Sequence, residues 1–99
     1  MGTKLIPKNA ALYQAVDEVL HYIWDPIGIS DVPRARDEYR SYLPQVFELL
    51  CQDAAPESIA SYLGKMSTES MGLSVNAKHD LKVAGLLIDW KEAIDEKFA

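Results

Sequence analysis

Three features of this sequence predict an all-α fold, a compact bundle or orthogonal array of about four helices. Apolar residues recur at three- and four-residue spacing in separate segments. No stretch alternates apolar and polar residues as a half-buried strand would. Short breaks carrying Pro or Gly divide the segments.

Residues 10–24 set Leu12, Ala15, Val16, Val19, Leu20 and Ile23 on one helical face and Gln14, Asp17, Glu18 and His21 on the other. Asn9 has the short acceptor side chain of an N-cap. Asp25-Pro26-Ile27-Gly28 supplies the stop, with Asp, Pro and Gly at the first, second and fourth positions of a type I turn. Trp24, just before that turn, is expected to cover the end of the core. Periodicity lapses from Ile29 to Arg40, and Pro33 lacks the N–H a helix interior needs, so this span reads as a structured loop with room for a short helical turn.

Ser41 is the expected N-cap of the second helix, because Pro44 then falls in the first turn, where its missing N–H costs nothing. Leu43, Val46, Phe47 and Leu50 form its stripe. After the Asp53-Ala54-Ala55 break, Pro56 suits the first position of a third helix, and Glu57 complements the positive end of its dipole. Ile59, Tyr62, Leu63 and Met66 face inward. Gly64 within that helix costs about 1 kcal/mol relative to Ala, which points to a close helix contact. Gly72 is placed to end the helix as its C′ residue. The fourth helix begins near Ser74 or Asn76. Val83, Leu87, Trp90 and Ile94 mark its apolar side, Phe98 extends it, and Asp80, Asp89, Glu92, Asp95 and Glu96 supply a solvated face. The expected core is Leu20, Ile23, Val46, Phe47, Leu50, Ile59, Leu63, Leu87 and Ile94.

The chain's 99 residues make one domain, 1–99, the expectation. Hydrophobic residues at 48% and charged residues at 25% are ordinary for a globular protein and argue against disorder. A net charge of -5 argues against a protein that grips phosphate backbones, so no direct nucleic-acid partner is expected. Cys51 is the single cysteine, which rules out an intrachain disulfide and a cysteine-based zinc site within one chain. It reads as a small buried hydrophobe, and a reducing cytoplasm fits best. No apolar run approaches the roughly 18–20 residues that span a bilayer, and MGTKLIPKNAALYQ lacks the apolar stretch of a secretory signal, so no membrane partner is expected.

Arg34, Arg36 and Arg40 are the only arginines, and they cluster in one stretch interleaved with Asp37 and Glu38. Such a cluster serves either as surface ion pairs holding an irregular loop, each worth about 0–1 kcal/mol, or as guanidinium forks for carboxylates on a partner, with Tyr39 and Tyr42 adding rigid contact area. The candidate partner-binding residues are therefore Arg34, Arg36, Asp37, Glu38, Tyr39 and Tyr42. Asp25, Asp31, Asp37 and Glu38 lack the spacing of a calcium loop, and no His or Cys lies nearby for zinc, so no metal or cofactor is expected. His21 falls on the polar face as a solvated histidine. His79 and Asp80 are adjacent, which points their side chains about 100° apart on a helix. No phosphate-binding glycine loop and no nucleophile elbow is present.

Trp24-Asp25-Pro26-Ile27-Gly28, Asp37-Glu38-Tyr39, Tyr42 with Pro44, and Met71-Gly72-Leu73 together resemble a family of small bacterial helical proteins of unknown function, the DUF1871 (YugE-like) proteins and proteobacterial relatives. The similarity covers roughly residues 12–73. It implies a compact cytoplasmic bacterial protein and brings no activity, cofactor or catalytic residue with it. Where such sequences often read Asp-Glu-Tyr-Asp, this one has Arg40 after Tyr39.

These readings favour a non-enzymatic, acidic protein-interaction module of bacterial or phage origin, in its most concrete form an inhibitor or immunity-type protein that covers a basic effector or nuclease. The alternative is a small ligand- or metal-binding domain, or an enzyme, that uses Asp25, Asp37 and Glu38 around a pocket roofed by Trp24 and Tyr39. A structural homodimer that buries a helix face is the third class.

Overall fold

The structure, a computed structural model that describes residues 6–29, 31–33 and 37–99, holds four α-helices and no strand among those residues. They are α1 (Pro7–Val19), α2 (Leu43–Cys51), α3 (Pro56–Lys65) and α4 (Ala77–Lys97). Helix α4 packs along both α1 and α3, and α2 closes the bundle against α1. The radius of gyration, 13.3 Å, is close to the ~13 Å expected of a folded chain of this length. Val16, Val46, Ile59, Leu63, Val83 and Leu87 bring every helix into one fully buried core.

The breaks lie where Pro and Gly place them, and the caps differ in detail. Pro7, with its φ preset for a helix, takes the first position of α1, so Asn9 lies inside the helix and not at its cap. Pro44 sits in the first turn of α2 as expected. Its N-cap is Tyr42, because a 3₁₀ turn over Arg40–Tyr42 absorbs Ser41. Asn76 does cap α4, accepting the His79 N–H at 3.2 Å.

The largest departure from the helical pattern is at the end of α1. A π-helical turn, Leu20–Trp24, continues the helix, and its widened winding shows in the Asp25 N–H to Leu20 O bond at 3.1 Å, five residues apart. One residue is in effect inserted into the turn. Trp24 thereby takes the core position that α-helical spacing gives to Ile23. Trp24 is buried, Ile23 is 40% exposed, and His21, expected in solvent, is 2% exposed. A second π turn, Met66–Ser70, extends α3, and Gly72 at φ +69 ends it with the Leu73 N–H on Ser67 O at 2.8 Å.

Two further expectations are corrected by burial. Phe47 is only partly buried and stands edge-on to Tyr13, with ring centroids 5.2 Å apart. Cys51 is exposed. Trp90 and Phe98, on the apolar side of α4 but outside the expected core, are 50% and 41% exposed, because no other element of the described chain covers that half of the α4 apolar arc.

Candidate functional site

The loop between α1 and α2 begins with Asp25 at φ 32, and its carboxylate organises the rest of that loop. Asp25 Oδ1 accepts the Ile29 N–H at 2.7 Å and the Tyr39 hydroxyl at 2.7 Å, while the Tyr39 oxygen accepts the Ile27 N–H at 3.2 Å. One phenol therefore ties the start of the loop to its end. Burial, reinforced by the bond to Asp25, raises the Tyr39 hydroxyl pKa, so it stays a donor at any physiological pH. Trp24 lies between Tyr39 and Tyr42, with ring centroids 5.2 and 6.0 Å away. Trp24, Asp25, Tyr39 and Tyr42 thus form a structural staple.

That staple changes the standing of the expected contact residues. Tyr39 is buried and presents no contact area, and Tyr42 is half-buried against Trp24. Asp37 and Glu38 are exposed. Arg40 bonds Asp37 at 2.8 Å and reaches Asp17 on α1 at 3.7 Å, so this arginine holds the loop to the first helix. Arg34 and Arg36 lie outside the described residues. Asp25, Asp37 and Glu38 do not share a pocket: Asp25 and Trp24 border a cleft of about 350 Å³ beside Asp80, and Asp37, Glu38 and Tyr39 do not line it. Among the described residues no group of three or more His, Cys, Asp or Glu side chains is placed to hold a metal ion.

The interior polar group that sequence spacing misplaced is Asp80. It is 3% exposed at the start of α4, and its Oδ1 accepts the Trp24 indole N–H at 3.1 Å. Oδ2 has no hydrogen-bond partner among the described residues. A Cβ on Gly64 would come within 3.3 Å of that oxygen and 3.1 Å of Val75, which is the close approach that keeps α3 glycine there. Burial raises the Asp80 carboxyl pKa, opposed by the Trp24 bond and by His79. Next to it, His79 Nε2 donates to Ile23 O and Trp24 O, both at 3.0 Å, and so satisfies carbonyls left open at the end of the first π turn.

On another side of the molecule lies an apolar groove of about 470 Å³ between α1 and α4. The two helices run antiparallel, since Lys8 meets Asp95 at 3.0 Å at one end while His79 meets Trp24 at the other. Val19 and Ile94 are its buried lining, Ala11, Ala15 and Ala93 add small side chains, and Tyr22, Trp90 and Phe98 are its exposed aromatic residues. Tyr22 is 57% exposed, and with Trp90 and Phe98 it offers on the order of 300 Å² of aromatic surface to solvent. Patches of that order on a small monomer are commonly binding surfaces. The sequence did contain a signal for this: α4 is apolar over too wide an arc for one core contact.

No protein-family model, curated protein or solved structure matches the chain. Among the described residues no helix is long and apolar enough to cross a membrane.

Proposed function

We propose that the protein is a non-enzymatic, acidic interaction module of bacterial or phage origin, an inhibitor or immunity-type protein that acts in the cytoplasm by covering a basic effector or nuclease. The exposed α1–α4 groove carries this reading, since its half-exposed aromatic walls are the residue types that anchor interfaces. The net charge of -5 supports it by favouring fast encounter with a basic partner. The binding face accordingly moves from the Asp25–Arg40 loop to the groove. Kinship with the DUF1871 (YugE-like) proteins is part of the same proposal, with the Asp25–Tyr39 staple as the feature to be shared.

A photo-crosslinking residue at Phe98, compared with one at the exposed Ser58 of α3, tests it in the native host. The groove position should trap one discrete protein that the control position does not, and the purified partner should lose its activity when mixed one-to-one with this protein. Identical adducts from both positions, or a partner whose activity is untouched, would refute the reading.

A second reading is favoured by the unsatisfied oxygen of Asp80. That oxygen lies on the Gly64 and Val75 side, and Asp80 lines a cleft of about 590 Å³ with both, where an N–H donor or cation on a small ligand would find a buried carboxylate. A thermal-shift panel of amines, nucleotides and divalent metals tests it, with a raised midpoint expected for a ligand of the native state. No shift across the panel would remove it.

A further inference from the structure

Resting on the interaction reading, we infer that the occupant of the α1–α4 groove is a basic amphipathic helix of the partner protein, seated as a fifth helix against the antiparallel α1–α4 pair.

Shape is the first argument. Two antiparallel helices with small residues along the seam leave a trough into which the side chains of a third helix can insert, and Ala11, Ala15 and Ala93 line this one beside the buried Val19 and Ile94. The wall from Ala11 to Ile23 runs about 18 Å at 1.5 Å per residue, which matches a partner helix of about three turns with apolar anchors at i, i+3 or i+4, and i+7.

Charge is the second argument, and it decides between partners. Glu18 lines the α1 side of the groove, and Asp89 and Glu96, exposed on α4 four positions before and three after the lining residue Ala93, flank its solvent edge by helical spacing. Lys97 is the one base among the described lining residues. Three carboxylates and one lysine thus lie in or beside the groove, which leaves its rim acidic on balance. A helix that bears Lys or Arg beside its apolar stripe meets opposite charge there. A second copy of this chain would bring Glu18, Asp89 and Glu96 against like charges, which disfavours the homodimer as occupant.

The full-length chain can be titrated with three designed helical peptides: an apolar stripe with Lys flanks, the same stripe with Glu flanks, and the Lys composition with its stripe scrambled. Binding is read from backbone amide shifts and from the environment of Trp90. The Lys-flanked helix should bind with shifts confined to the groove and with affinity that falls as salt rises. The Glu-flanked helix should bind at least tenfold more weakly, and the scrambled peptide should not shift Trp90. A Glu18→Lys, Asp89→Lys, Glu96→Lys variant that folds like wild type should reverse the preference. Equal binding of both flanked helices would overturn the basic-helix inference. So would binding of the scrambled peptide, or a concentration-dependent doubling of mass that buries Trp90. If no helix binds while Phe98 crosslinking still traps a partner, the helical occupant is refuted and the interaction reading survives; loss of the crosslink refutes that reading itself.

Discussion

Replacing Asp80 with Ala asks whether this carboxylate belongs to the interior or, as helical spacing predicts, to solvent. Its Oδ1 holds the indole N–H of Trp24 at 3.1 Å, and both side chains are buried. Truncation leaves the indole donor without an acceptor, which costs about 1–3 kcal/mol, while relief of the carboxylate's desolvation offsets part of that. The net loss is on the order of 1–2 kcal/mol, or a fall in Tm of roughly 5–15 °C for a domain of this size. A solvated aspartate would change stability by no more than about 0.5 kcal/mol.

Asp80→Asn separates the hydrogen bond from the charge, because it keeps an acceptor for Trp24 and removes the titration. The folded state holds the Asp80 pKa above its ordinary 3.8. The proton is thus bound more tightly in the fold, and the stability it contributes is full below the unfolded value and lost as pH rises through the folded one. The Tm of wild type relative to Asp80→Asn should therefore improve as pH is lowered from neutrality into the carboxylate range. Thermal and urea denaturation followed by far-ultraviolet circular dichroism reads both effects. An Asp80→Ala protein melting within a degree of wild type, or a wild-type to Asp80→Asn difference flat with pH, would refute the reasoning.

Tyr39→Phe removes the hydroxyl that joins Asp25 to Ile27 and should lower stability by about 1.5–3 kcal/mol in urea titrations, since the lost bond is to a carboxylate. Gly28→Ala should lose about 1–2 kcal/mol through backbone strain, because φ is +70 and none of the described residues lies within 4 Å of the added Cβ; an unchanged Tm would contradict this. Cys51 should react with a thiol reagent in the native state without unfolding, being exposed, but more slowly than a free cysteine because desolvation raises its thiol pKa.

The helices and their order were legible because Pro26, Pro44, Pro56 and Gly72 punctuate the chain in ways local geometry enforces, and Val46, Leu50, Ile59, Leu63, Val83 and Leu87 repeat at a helical period; the start of α1 at Pro7 was not. What escaped was whatever departs from that period or depends on distant partners. The π turn at Leu20–Trp24 exchanges Ile23 for Trp24 in the core, and a reading with α-helical spacing has no means to see the inserted residue. Asp80 looked solvated because the indole that holds it comes from a residue 56 positions earlier. The Asp25–Tyr42 loop stood out in the sequence for its residue types, and the structure explains Asp25 and Tyr39 there as a staple. Trp90 and Phe98 had the pattern of core residues, since an apolar arc does not state which half the chain itself covers.

The most direct test of the groove as the working surface uses the two tryptophans as opposed probes, Trp24 buried and Trp90 half-exposed. With both replaced by 5-fluorotryptophan, fluorine resonances and their broadening by a soluble paramagnetic agent report the exposure of each ring, free and bound to the partner. Groove docking predicts that Trp90 shifts and loses its broadening in the complex while Trp24 stays as it was. A complex in which Trp90 remains as accessible as in the free protein would contradict the account.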